Sequence, residues 1–304
     1  MDETALNGIT GGALLRVSLP NDAVTTAVWR HRELRDLGMS LDALLRLPLA
    51  EVRRAVSDDA MRDLPRLDPA SVHLLAPADT QEVWAAGVTY LRSREARMAE
   101  SQVQDVYARV YEADRPELFF KAAGWRVVPS GGDVGVRSDS AWNVPEPELA
   151  VLSNAHGEVV AFACANDMSS RAIEAENPLY LPQAKVYERS CAIGPAAVFA
   201  WDVDVSASVV GMQIVRRGAT VFDGRASTAE LVRDVGALTA VMHAAYPFPA
   251  GAWLLTGTSV VPPAEYTAEP GDVVRIWIDG LGTLVGRVVL IEVPAVTARP
   301  TIPR

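Results

Sequence analysis

Cysteine is almost absent from this sequence, and histidine is nearly so: two of the first and four of the second among 304 residues. Two cysteines cannot make a disulfide framework, and Cys164 and Cys191 each lie inside an apolar run, where buried reduced thiols are expected. Neither residue type clusters at the spacings that hold zinc. Basic residues are the minority charge, 28 Lys and Arg against 38 Asp and Glu, and they gather on no one stretch. A net charge of −10 so distributed repels a phosphate backbone, so we expect no nucleic-acid partner. Long hydrophobic runs are missing too. The most apolar stretch, residues 236–256, is broken by His243, Pro247 and Pro249 and falls short of the ~20 uninterrupted apolar residues of a bilayer span. The opening MDETALNGIT carries acids where a secretory signal carries bases, so a cytoplasmic location and no membrane contact are expected.

What is present is ordinary for a folded globular protein: 49% hydrophobic and 22% charged residues, enough chain for one large core and one small. Residues 1–75 read as short strands followed by helices, with Ala13 to Leu19 strand-like and Ser40 placed to cap LDALLRL. We therefore expect a small N-terminal α+β domain over 1–75 and a larger domain over 76–304. Helical spacing predicts an amphipathic helix between Tyr90 and Tyr111. Beyond it come β-rich segments separated by Gly and Pro: ELFFKA, RVVP, ELAVLS, VVAFACA, AAVFAWDV, GMQIVRR, VVRIWID and GTLVGRVVLIEV. A second helix is predicted from a capping box at Ser227 and Glu230 to a stop before Pro247. The fold class is α+β, with mixed or antiparallel sheets and few helices.

Three carboxylates stand out. In V-P-E-P-E-L-A-V-L, Glu146 and Glu148 are two apart, so an extended chain puts both on one face. Like charges side by side call for full solvation or a bound cation. A hairpin turning near Ala155 and His156 would bring Asp167 opposite a position within about two residues of Glu146. Three oxygen donors suit a hard ion with open coordination positions, which points to Mg2+, with Mn2+ as the alternative. Spacing alone leaves a second reading open, a solvated acidic strand end, and Pro147 favours such an edge.

The strings E-x-E-L-A-V, N-D-M-S-S-R, A-K-V-Y-E-R-S-C-A-I-G-P and T-G-T occur in that order, and over residues 85–295 the chain resembles the fumarylacetoacetate hydrolase superfamily. RAIEAENPLYLPQAKVY and the opening G-V-T-Y-L-R-S-R are similar to its 2-dehydro-3-deoxy-D-arabinonate dehydratase branch. The resemblance implies a β-rich mixed-sheet catalytic domain, a homodimer or homotetramer, Mg2+ on Glu146, Glu148 and Asp167, and Lys185 in the active site. It also brings Glu117, Lys121 and Thr258 towards the pocket; Tyr90, Arg92 and Ser93 are further candidate substrate contacts.

Hydrolytic members tend to carry G-x-N-Y-x-x-H, whose histidine activates water. Here Gly87-Val88-Thr89-Tyr90 leads to Ser93, and His31, His73, His156 and His243 lie outside the motif. The expected reaction is therefore dehydration of a 2-oxo-3-deoxy sugar acid, arabinonate- or xylonate-derived, to 2,5-dioxopentanoate through a metal-stabilised enolate. An acylpyruvate-type hydrolase or a 2-oxo acid decarboxylase is the alternative. Lys185 is the candidate base, or a charge that binds the substrate carboxylate. Glu117 is the candidate proton shuttle, or the partner of Arg115 or Lys121 in a salt bridge. Arg92 and Ser93 could bind the substrate at a helix start or form a solvated face, and Thr258 could contact substrate or serve a turn.

Overall fold

A computed structural model describes residues 6–87, 89–90 and 113–294 of the protein. The helix expected to follow Tyr90, and with it Arg92 and Ser93, lies outside those residues. The strands are β1 (Ala13–Ser18), β2 (Val24–Arg30), β3 (Glu33–Asp36), β4 (Arg66–Leu67), β5 (His73–Leu75), β6 (Glu82–Gly87), β7 (Glu117–Ala122), β8 (Asp133–Arg137) and β9 (Asn143–Val144). They continue with β10 (Pro147–Ser153), β11 (Val159–Asp167), β12 (Ser169–Ser170), β13 (Cys191–Phe199), β14 (Val209–Arg216), β15 (Ala219–Ser227), β16 (Ala252–Leu255), β17 (Val273–Ile278) and β18 (Gly282–Ile291). The α-helices are α1 (Leu41–Leu45), α2 (Leu49–Ala55), α3 (Asp58–Asp63), α4 (Arg171–Glu176), α5 (Leu181–Lys185) and α6 (Val235–His243).

Among the described residues the strands form one sheet of eleven, in the order β4-β3-β2-β1-β13-β11-β10-β16-β6-β7 with β5 also on β1. A second sheet has five, β15-β14-β17-β18-β8, and β9 and β12 make a short pair. Two neighbours, β16 with β6 and β18 with β8, run parallel; the other paired strands run antiparallel. Mixed sheets and short helices match the α+β expectation.

Alternation along the strands sorts the core into two layers. Leu149, Val151, Phe162, Cys164, Ala196 and Val198 face the five-stranded sheet, packing with Met212, Ile214, Ile276 and Leu284. The alternate residues Ala150, Leu152, Ala161, Ala163, Ala165, Ile193 and Ala197 face the other way, and their layer includes Leu44 and Val52 from α1 and α2. Each fully buried Val, Leu, Ile or Met side chain among these contributes ~1.5–3 kcal/mol. Past β7, Val128 bridges to Ala192 of β13, so the run from β13 to β7 curls back on itself. Alanines on the concave side leave room for that curvature.

Several local expectations are met. Ser40 caps α1 through the Ala43 N–H, and the β10–β11 hairpin pairs Glu148 with Ala165. Others need correction. The capping box at Ser227 is formed, but it starts a single 3-10 turn, Thr228–Glu230, after which Asp234 caps α6 afresh. RVVP is not a strand, because a 3-10 turn at Gly124–Arg126 occupies its start. Pro147 is on no edge: β10 lies between β11 and β16, and the proline is tolerated as its first residue, beyond the four positions that pair with β16. The strands of residues 13–75 join the large sheet directly, β1 pairing with β13 at Ala13↔Val198 and Leu14↔Ala197.

Candidate active site

The concave layer ends in charge instead of alanine. One step beyond Ala150 the alternation reaches Glu148 and then Glu146; one step beyond Ala165 it reaches Asp167. Antiparallel pairing closes the gap between the two strands, with the Asp167 N–H donating to the Glu146 carbonyl at 2.9 Å. The three carboxylates bring ligand oxygens within 4.8 Å of one another and are 2%, 3% and 1% exposed for Glu146, Glu148 and Asp167. The solvated-edge reading is thereby removed, since carboxylates so buried must be compensated by partners.

Most of that compensation comes from three cations. Lys185, at the end of α5, donates from Nζ to Glu146 Oε2 at 2.5 Å, Asp167 Oδ2 at 3.0 Å and Ser169 Oγ at 2.6 Å. Arg171, the first residue of α4, holds Glu146 Oε1 at 2.7 Å. Lys121 pairs with Asp167 Oδ1. Glu148 is different: among the described residues no cation touches it, and its partner is the Gly257 N–H at 2.6 Å from Oε2. Burial first, and then the charges of Asp167 and Glu146, hold its carboxyl well above the usual range, against the opposing pull of Lys185 and the Gly257 N–H. An all-oxygen donor set with one under-compensated carboxylate fits a hard divalent cation, and Glu146, Glu148 and Asp167 are the residues that would hold it.

Around this cluster the strand ends supply further groups. Glu117 begins β7 opposite Gly87 of β6, and its carboxylate lies across the glycine: a Cβ built on Gly87 would stand 2.0 Å from Glu117 Oε2. Glu117, Phe119 and Lys121 alternate onto one face of β7, and Phe119 lies 5.9 Å from Lys185 Nζ. Gly257 adopts φ +91°, and a Cβ there would meet Thr89 Oγ1 at 2.1 Å, so the G-V-T and T-G-T segments interlock at the ends of two parallel strands. Thr258 turns its hydroxyl to its own loop, accepting from the Val260 N–H at 3.3 Å. Tyr90 is buried, and burial, followed by the charges of Glu148 and Glu230, pushes its phenol above the ordinary value.

The structure thus brings together Glu146, Glu148, Asp167, Lys185 and Lys121 from the candidates, with Tyr90 close enough to Glu148 to feel its charge. Reading the sequence missed Arg171, Ser169, the Gly257 N–H, and Asn166, whose Oδ1 accepts from the Glu146 N–H at 3.2 Å. Three of these lie in N-D-M-S-S-R beside Asp167, where the density of polar residues after an apolar strand was the available signal. No described histidine enters the carboxylate group; His243, for instance, bonds Ser153 Oγ at 2.9 Å. Cys191, opposite Asp167 on β13, is a free buried thiol pushed up to about 12, chiefly by burial, and stays protonated. No described helix is long and apolar enough to cross a membrane.

Comparison with known proteins agrees with this geometry. The family model described as Fumarylacetoacetate (FAA) hydrolase C-terminal matches residues 82–289. A probable 2-keto-3-deoxyxylonate dehydratase of Haloferax volcanii is 48% identical over 213 residues, covering 70% of this chain and 73% of that protein. The 2-dehydro-3-deoxy-D-arabinonate dehydratase of Saccharolobus solfataricus is 39% identical over 220 residues, 70% and 74% of the two chains. Among solved structures, a 2-keto-3-deoxy-D-arabinonate dehydratase complexed with magnesium and 2,5-dioxopentanoate superposes with a TM-score of 0.80 at 29% identity, covering 92% of this chain and 99% of that one.

Proposed function

The chain belongs to the fumarylacetoacetate hydrolase family, and from that premise we propose that it is a Mg2+-dependent hydro-lyase converting a 2-oxo-3-deoxy sugar acid, the arabinonate or xylonate type, to 2,5-dioxopentanoate. The observation that carries the reading is the buried trio Glu146, Glu148 and Asp167, made of hard oxygen donors and joined by Lys185. Three carboxylates there meet three cations, Lys121, Arg171 and Lys185. A divalent ion added to that balance leaves the site positive, as an anionic substrate requires. When bound, the ion supplies Lewis acidity towards the substrate's carboxylate and ketone oxygens.

The protein's own groups handle the protons. Dehydration removes a proton from carbon 3 and hydroxide from carbon 4, and a tautomerisation then makes carbon 5 the aldehyde. Lys185 is the proposed base at carbon 3. All three of its N–H bonds are directed at acceptors, so Nζ must give up one of those protons before it has a lone pair to offer. Glu117, laid across Gly87, is the proposed carrier that protonates the departing hydroxyl and serves the later tautomerisation. Tyr90, Arg92, Ser93 and Thr258 complete the proposed substrate contacts.

The absence of a histidine from the carboxylate cluster among the described residues supports dehydration over hydrolysis. Incubation with a 2-oxo-3-deoxy-pentonate and Mg2+ should yield one equivalent of an aldehyde-bearing five-carbon product. Release of carbon dioxide or of two shorter acids would replace this reading with decarboxylation or hydrolysis. We further propose a cytoplasmic homodimer or homotetramer in which residues 1–75 act as an accessory unit. The oligomer is measurable by light scattering after gel filtration.

A further inference from the structure

Resting on the metal-site reading above, we propose that Lys121 is a positioning residue and not a substrate contact: it clamps the chain excursion that carries Arg171 and Lys185 to the metal ligands. An ammonium group has three N–H donors and no acceptor. Two of those of Lys121 go to backbone carbonyls, Met168 at 3.0 Å and Lys185 at 2.5 Å, and the ammonium forms an ion pair with Asp167 Oδ1. The side chain is 0% exposed. Its contacts are thus with two backbone carbonyls and the Asp167 carboxylate, and it has no solvent-facing surface from which to hold a substrate.

The identity of the acceptors is what gives the clamp its purpose. The chain leaves the large sheet at Met168, passes through α4 and α5, and returns to it at Cys191. Met168 is the first residue of that excursion, ahead of β12, and Lys185 is the last of α5; Lys121 ties both carbonyls to one nitrogen projecting from β7. A second tie closes the neck between Met168 N–H and the Ser190 carbonyl at 2.9 Å. Ser190 Oγ also donates to the Lys185 carbonyl at 2.9 Å. The excursion presents Arg171 to Glu146 and Lys185 to Glu146 and Asp167, so holding its ends fixes the orientation of two of the three carboxylates. Groups that orient metal ligands from behind typically govern metal affinity by about 10–100-fold.

The test separates metal affinity from substrate affinity. Wild type, Lys121→Met and Ser190→Ala are titrated with MgCl2 by isothermal calorimetry without substrate, and kcat and KM are then measured at saturating Mg2+. A clamp predicts Mg2+ affinity lowered by about 10–100-fold in Lys121→Met. It also predicts a fall in kcat and a KM for the oxo acid within about threefold of wild type. Ser190→Ala should lose Mg2+ affinity in the same direction by a smaller factor, and it carries the test if Lys121→Met does not fold. A raised KM with unchanged Mg2+ affinity in Lys121→Met would make the lysine a substrate contact. A lowered melting temperature with unchanged Mg2+ affinity in both variants would make it a purely structural cation. Either result overturns the clamp. Because the calorimetry needs no turnover, a wild type that binds Mg2+ but forms no aldehyde refutes the dehydratase reading while leaving the clamp open to this measurement.

Discussion

At Gly87 a missing side chain makes room for a carboxylate. Glu117 occupies the space where a Cβ would stand, so Gly87→Ala must push its carboxylate aside while leaving the β6–β7 pairing in place. A displacement near 1 Å costs on the order of 100-fold in rate, so kcat should fall by about that factor with little change in melting temperature; unchanged kcat would remove Glu117 from the proton path. Glu148 leads to a pH prediction. Its carboxyl is raised in the folded protein, so its contribution to stability is full below the unfolded value and is lost as pH rises through the folded one. Mg2+ relieves that loss above the folded value, whereas a proton on Glu148 competes with the ion below it. The Mg2+-induced rise in melting temperature should therefore be larger at pH 8 than at pH 5, and equal rises at both would place the ion elsewhere. At this scale the sequence was informative about the carboxylates and poor about their partners. Glu146 and Glu148 declared themselves by spacing, whereas the Gly257 N–H, 109 positions away from Glu148, had no side chain to be read.

Among the elements, α4 matters most for its first turn. Ser170 caps it by accepting from the Ile173 N–H at 3.3 Å, and the next residue is Arg171, which grips Glu146. Ser170→Ala should cost about 1 kcal/mol of stability, measured by urea unfolding, and loosen the arginine. Stability within error of wild type would show that the helix start is held by its other contacts. The hairpin β10–β11 was legible because its period-two pattern and turn residues are local, and local signals fix register. The helix predicted from Ser227 illustrates the limit. Its capping box forms, yet the turn it starts ends at Leu231, whose backbone is extended and bridges to Tyr90, a tertiary contact that a capping signal cannot anticipate.

For the molecule as a whole, the strands of residues 13–75 are stitched into the large sheet. β1 covers the edge of β13, and Arg30 reaches Asp202 at 2.5 Å. Removing residues 1–75 should therefore uncover the Ala197–Val198 end of β13 and the apolar core beneath β1 and β2, and yield an aggregating product. A soluble, cooperatively unfolding 76–304 fragment would instead establish an independent catalytic domain. What the sequence determined by itself was the fold class, the carboxylate set and the family, because strand alternation, turn chemistry and ordered motifs are properties of neighbouring residues. What the tertiary structure decided was the burial of those carboxylates and the cations that answer them. Lys121, Arg171 and Lys185 come from separate segments, and only the curling of one sheet and the folding-back of one helical excursion bring their charges within bonding distance of the same two acids.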